Sequence, residues 1–337
     1  MRRLVSMFVA LIVSAALIGL PTPTSGQNKK KDRTLRVDVN LVLVTASVTD
    51  PYDRIITGLG PDNFEIYENG ERQEIIKFSS EDGPVSVVII LDTSGSMSNK
   101  IGPAKLALIS FTKSANPQDE FALIYFDNGR AVPATTGFTD ADNLRTNLLT
   151  MAPHGQTPLL DSIYLALIQM GKAQKENRRA IIIISDGGDN HSRYNERDIK
   201  NLVKESETQI YSIGIFDKDN SFGAPIDRLN SGIPLEEIYG PELLNDITNM
   251  TGGRAFTIQS VAGLEDTVEK IGNELRNQYL LGYRPNTKDW GKDKKSKKDK
   301  TGRGEWRKIK VKVRPPRGLP PLTVRAKSGY YAPIPAN

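Results

Sequence analysis

The 337-residue chain contains no cysteine, two histidines and two tryptophans. Without cysteine there is no disulfide framework, no thiol nucleophile, no thiolate metal site and no residue for lipoprotein-type lipidation. No G-x-x-x-x-G-K-[ST] stretch occurs, so the phosphate cradle of a P-loop nucleotide enzyme is missing. An excess of one charge is lacking too. The formal net charge is +5, and removing residues 1–26 takes away two arginines and no acid, leaving 43 basic against 40 acidic residues. A net of +3 over that length gives no footprint for nucleic acid.

One long apolar run is present, and it is at the start. Arg2 and Arg3 precede Leu4–Leu20, after which Pro21, Pro23 and the small residues Thr22, Thr24, Ser25 and Gly26 break the pattern. A basic head, an apolar middle and a small-residue cleavage zone describe a secretory signal peptide, cut after Gly26. The competing reading is an uncleaved membrane anchor. Either way the expectation is an exported protein of the periplasm or cell surface.

Beyond a polar lead, residues 27–83 read as β-structure. Val37, Val39, Leu41 and Leu43 alternate with Asp38, Asn40 and Val42, and Val44, Ala46 and Val48 continue in the opposite phase, which calls for a bulge or two-sided burial. Asn69-Gly70 marks a hairpin turn, with Ile75–Phe78 as the expected return strand. From Val85 the character changes. Ser86–Asp92 and Ala180–Asp186 are apolar runs that end in an acid, as strands buried on both faces of a parallel sheet do. Strands and helical stretches, Leu243–Met250 among the latter, alternate to about residue 280. That alternation indicates a doubly wound α/β fold over residues 84–280. Residues 281–337 return to β-pattern: Ile309, Val311 and Val313 alternate with lysines, and Leu322–Ala326 follows a proline-rich turn. The simplest packing joins the two terminal β-segments in one small sandwich that carries the α/β part as an insertion. Lysine-rich residues 288–303 read as a solvated loop rather than a polymer-binding patch.

In an open α/β sheet, ligands collect at the carboxyl ends of the strands. Asp92 and Asp186 would share that edge, with Ser94 and Ser96 in the first loop and Thr157 in a loop at the start of a helix. Carboxylates with hydroxyls make an all-oxygen set suited to a hard cation: Mg²⁺ first, with Mn²⁺ or Ca²⁺ as the other choices. So few charged ligands leave positive charge on the ion, and an incoming carboxylate can complete its shell.

Asp92-Thr93-Ser94-Gly95-Ser96 resembles the D-x-S-x-S signature of the metal-ion-dependent adhesion site in von Willebrand factor type A domains. Gly155-Gln156-Thr157-Pro158-Leu159 is similar to the family's threonine loop, and Ser185-Asp186-Gly187 to its last acidic loop. The resemblance covers residues 84–280 and implies that Ser94, Ser96 and Thr157 touch the metal, with Asp92 and Asp186 acting directly or through water. The layout as a whole resembles bacterial exported proteins that carry this domain.

The expected function is therefore Mg²⁺-dependent binding of a protein partner that offers a carboxylate. The alternative is a structural or assembly factor of the cell envelope that uses the domain as a metal-independent scaffold. A metal-dependent hydrolase comes third. His191 could serve as a base there, yet Asp189 and Ser192 are sequence neighbours rather than a spaced nucleophile and orienter, and no histidine pair has metal-ligand spacing. No catalytic residue is expected. Asp217–Ser221 resembles a calcium loop only superficially, since its glycine falls at the seventh position and its twelfth is Arg228.

Overall fold

The computed structural model describes residues 41–174, 178–186, 188–216, 235–286 and 304–332. Residues 1–26, read above as a signal peptide, the Asp217–Ser221 stretch and the lysine-rich residues 288–303 lie outside the described residues.

A six-stranded sheet carries the α/β part. In sheet order it comprises β10 (Ala255–Ile258), β9 (Gln209–Ile215), β8 (Arg178–Ser185), β5 (Val85–Leu91), β6 (Glu120–Asp127) and β7 (Arg130–Pro133). The first five run parallel and β7 turns back antiparallel on β6. Unbroken apolar sequence in β5 and β8 follows from double-sided cover. Val87, Ile89 and Leu91 face α1 (Ile101–Lys113), α2 (Ala141–Thr150) and α6 (Leu264–Arg276). Val88 and Ile90 face α3 (Leu159–Met170), α4 (Glu196–Glu205) and α5 (Leu235–Thr251). These five strand side chains are fully buried, each contributing roughly 1.5–3 kcal/mol relative to exposure. The apolar spacing alone predicts that α5 starts at Leu243; the helix instead begins at Leu235 and runs through Pro241. A proline mid-pattern is a probable boundary, not a certain one, and here the turn beyond it is anchored by buried Leu244 and Ile247.

Strands from both ends of the chain form two four-stranded sheets. One has the order β13 (Thr323–Ala326), β1 (Val42–Thr49), β11 (Tyr279–Tyr283), β4 (Ile75–Ser79). The other has β14 (Gly329–Tyr331), β12 (Trp306–Val313), β2 (Phe64–Glu68), β3 (Glu71–Gln73). Their facing residues, among them Val44, Ala46, Val48, Ile66, Leu281 and Ile309, make one core. The pairing of β1 shows no bulge over Val42–Thr49 and the second half of the strand is buried on both sides, while Val37 and Val39 lie outside the described residues. Val44, Ala46 and Val48 point into the sandwich, while Ser47 and Thr49 are buried on the other side. Asn69 and Gly70 have φ of 49° and 91°, as a type I′ turn requires. Its return strand is β3, however. Residues 75–79 cross to the other sheet, where Phe78 packs with Phe64 and Tyr279.

The sandwich meets the α/β part at the N-terminal ends of the parallel strands. Arg254, just before β10, bridges to Asp53 at 2.5 Å, and the Ser328 N–H donates to the Met250 carbonyl at 3.1 Å. Glu274 of α6 is buried at this junction and accepts from the Tyr211 hydroxyl at 3.3 Å. Burial raises its pKa above the ordinary 4.5, and the charges of Arg325 and Arg254 offset this only in part. An acid with a raised folded-state pKa binds its proton more tightly when folded, so its contribution to stability is lost as pH rises from 4.5 through the folded value. Glu274→Gln should remove that loss. Urea midpoints compared at about pH 4.5 and about pH 7.5 should show a smaller decline for the variant; parallel declines would mean the carboxylate is adequately solvated.

Candidate metal centre

The site is built at the carboxyl edge of the parallel strands. β5 and β8 are neighbours in register, Leu91 opposite Ile184, so Asp92 and Asp186 emerge side by side. Asp92 continues the ladder for one more bond, its N–H donating to the Ile184 carbonyl at 2.9 Å. Its carboxylate then turns the chain: Oδ1 accepts the Ser94 N–H at 2.8 Å and Oδ2 accepts the Ser185 hydroxyl at 2.5 Å. Thr93 locks the turn to β6 through both its donor and its acceptor, with the Phe126 carbonyl at 2.7 Å and the Phe126 N–H at 2.9 Å.

A chain of side-chain oxygens crosses the edge. Ser94 and Ser96 hydroxyls are 3.0 Å apart, and the Ser96 hydroxyl donates to Asp186 Oδ1 at 2.8 Å. The threonine loop is docked through its backbone. His154 N–H donates to the Thr93 carbonyl at 2.6 Å, and Gly95 N–H to the Gly155 carbonyl at 3.1 Å. Thr157 is buried, and its own N–H and carbonyl are held by Asn190 at 2.9 and 3.1 Å. Asp92 is thus joined to Ser94 through the Ser94 N–H, and Ser94, Ser96 and Asp186 are joined through side-chain oxygens, with the loop that carries Thr157 docked on residues 93 and 95.

Burial is the largest influence on Asp92, and it pushes the pKa up to about 6 against the lowering effect of Ser185 and Ser94; the nearby Asp186 charge adds to the rise. A desolvated carboxylate flanked by neutral hydroxyls lacks compensating charge. Among the described residues no three His, Cys, Asp or Glu side chains cluster as a metal site. The side-chain oxygens gathered at this edge are two carboxylates and hydroxyls, a set that would fit a hard divalent ion better than a soft one.

Residues 87–188 match the family model of the von Willebrand factor type A domain. The chain contains a von Willebrand factor type A domain. Inter-alpha-trypsin inhibitor heavy chain H4 of Homo sapiens is 27% identical over 57% of the chain, and an uncharacterized protein of Borreliella burgdorferi is 28% identical over 60%. The chain spans 21% and 62% of those relatives' lengths. Among solved structures, a von Willebrand factor type A protein from Catenulispora acidiphila is 11% identical with a TM-score of 0.47, covering 86% of this chain and 73% of that one. Proximal thread matrix protein 1 of the mussel byssus, in a structure with a zinc-occupied MIDAS motif, is 16% identical with a TM-score of 0.44, covering 62% and 49%.

Sequence reasoning missed two residues at the loop edge of the von Willebrand factor type A domain. Lys100, at the start of α1, places its ammonium 2.9 Å from Asp186 Oδ2, with both side chains largely buried. A lysine eight positions from Asp92 carries no motif signal; only the turn between them brings it back. Asp161, in the first turn of α3, accepts the Arg193 and Tyr194 N–H groups at 2.9 and 3.2 Å and so fixes the loop after Asp186. Asp189 and Ser192 serve the same end. Asp189 accepts the Leu160 N–H at 3.0 Å, and the Ser192 hydroxyl, bonded to Asp189, accepts the Asp161 N–H at 3.0 Å. His154 pairs with Asp127 at 2.6 Å, which raises its pKa, and His191 lies against Gly129 at the rim.

Proposed function

We propose that Asp92, Ser94, Ser96, Thr157 and Asp186 hold one hard divalent cation, Mg²⁺ in preference to Mn²⁺ or Ca²⁺, and that the domain uses it to bind a carboxylate of a protein partner. The supporting observation is the hydrogen-bonded run from buried Asp92, through the Ser94 N–H and the Ser94 and Ser96 hydroxyls, to Asp186. When bound, the ion supplies a Lewis-acidic position for an outside oxygen ligand. The protein's own part is to orient the hydroxyls, to desolvate Asp92 and to hold the three loops in register. Binding rather than turnover suits this arrangement, because Asp189 and Ser192 are already spent on capping α3. The basic-apolar-small pattern of residues 1–26 supports export, and an adhesion or assembly role at the cell envelope follows from the two together.

A second reading has its own support. The Lys100 ammonium already offers Asp186 a positive partner, which favours a scaffold that works without metal and docks through other surfaces.

The two readings separate in one experiment. Mg²⁺ titration by calorimetry should give a one-to-one isotherm with the wild type and none with Asp92→Asn, while the far-ultraviolet circular dichroism of the two stays the same. Capture of envelope proteins should disappear with chelator and with the variant, and return when Mg²⁺ is restored to the wild type. Capture that survives both treatments would remove the metal from the mechanism and leave the scaffold.

A further inference from the structure

A pocket lies at the far end of the parallel sheet from the loop site. It has a volume of 570 Å³, within the roughly 300–1,000 Å³ of small-molecule sites. One wall is the outer face of the first sandwich sheet. Thr45 pairs with Leu280 and Leu280 with Ser79, while Lys327 directly follows Ala326, the partner of Ala46. The row Lys327, Thr45, Leu280, Ser79 therefore runs across the sheet, with Leu43 beside it. The other wall comes from the α/β part: the end of α4, the residues leading into β9, the start of β8 and Met250 of α5.

This lining is divided in character. Leu43, Leu280, Val203 and Met250 make an apolar stretch, and Leu43 stands open to it at 37% exposure. Four cationic and three acidic side chains complete the surround. Several of these are committed elsewhere. Arg178 donates to the Leu275 and Arg276 carbonyls at 3.0 Å each, Asp82 faces Arg276 at 3.7 Å, and Lys204 lies over the Trp306 ring at 5.7 Å. The Lys327 and Arg179 side chains make no hydrogen bond or salt bridge among the described residues. Two uncommitted cationic donors and a surplus of one positive charge beside an apolar wall match one anionic head group with a hydrocarbon tail.

We propose that this pocket binds a free aliphatic monocarboxylate, its head held by Lys327 and Arg179 and its chain laid along Leu280, Leu43 and Met250. Burial holds the Lys327 ammonium below its ordinary pKa, with Glu207 opposing the shift. A ligand carboxylate beside it would add to the counter-charge of Glu207 and offset more of the hydration lost on burial. The site is independent of the divalent-cation reading, since it uses none of the loop residues.

Calorimetry with monomeric dodecanoate tests the proposal, using dodecanol, acetate and phosphatidylglycerol vesicles as comparisons. The expected result is one-to-one binding of dodecanoate, with dodecanol and acetate each weaker by about tenfold or more. Lys327→Met and Arg179→Gln should each weaken dodecanoate by about tenfold while leaving dodecanol unchanged, and Asp92→Asn should change neither. In the wild type, dodecanoate should protect Lys327 from reductive methylation, a readout that does not depend on any variant folding. Absence of dodecanoate binding, equal binding of dodecanol, equal affinity in Lys327→Met, or binding to vesicles without binding to monomeric dodecanoate would each overturn it.

Discussion

Glu68→Leu should lower the unfolding free energy by about 3–5 kcal/mol, the cost of removing one partner from a buried charged network. Glu68 ends β2, just before the Asn69-Gly70 turn, and is 4% exposed. Its Oε2 accepts the Tyr283 hydroxyl at 2.7 Å and the Tyr330 hydroxyl at 2.9 Å, and its Oε1 faces Arg307 at 3.7 Å. Burial, and then the adjacent carboxylate, hold both phenols far above their ordinary pKa, so they remain donors throughout the working pH range. A leucine side chain would fill much of the volume, leave two hydroxyls without their acceptor and leave Arg307 with Glu305 as its remaining carboxylate partner at 3.2 Å. The cost should therefore come from stranded donors rather than lost packing. Glu68→Gln, which keeps an acceptor, should cost less, and Glu68→Leu combined with Tyr283→Phe and Tyr330→Phe should recover part of the loss. Urea unfolding of the wild type and the three variants at neutral pH decides it. If the triple variant is no more stable than Glu68→Leu alone, the stranded hydroxyls are not the cause.

That network also marks where sequence ceases to inform. β5 and β8 are legible because two-sided burial writes itself as unbroken apolar runs, and an acid at the end of each run points to the loop edge. The joining of terminal strands can be argued from Ile309, Val311 and Val313, whose alternation needs an apolar partner that neither end supplies alone. Registration is another matter. Nothing local states that Ile75–Ser79 leaves the Asn69-Gly70 hairpin for the opposite sheet, since period-two alternation fits either neighbour. Glu68, Lys100 and Asp161 are invisible for a related reason. Each is a polar residue whose role depends on partners between 32 and 262 residues away, and side-chain pairing at such separations leaves no periodic trace. The gathering of Asp92, Ser94, Ser96 and Asp186 at one edge is the exception, because each follows an apolar strand whose position in a parallel sheet is written in the sequence.

Gly253→Ala is expected to be the other severe substitution, costing about 3 kcal/mol or more if the chain folds at all. A Cβ on Gly253 would meet the Ile210 carbonyl oxygen at 2.0 Å and its carbon at 2.7 Å. Neither side can give way. Ile210 is fully buried in β9, paired to Ile181 of β8, and its N–H donates to the Thr251 hydroxyl at 2.9 Å. Gly253 itself donates to the Thr248 carbonyl at 3.2 Å, which closes the end of α5. Gly252 is constrained as well, with φ of +78° and a would-be Cβ 2.5 Å from Ala326 of β13. The two glycines thus let α5 end, β10 begin and the sandwich dock within a few residues. Gly102→Ala provides the control: its Cβ would meet nothing within 4 Å and it lies in α1, so it should be neutral or stabilising by up to about 1 kcal/mol. Thermal and urea unfolding of the pair should diverge in sign or differ by several kcal/mol. Similar stabilities would mean the backbone at Gly253 can move aside, and the tight junction between the end of α5 and β9 would then have to be redrawn.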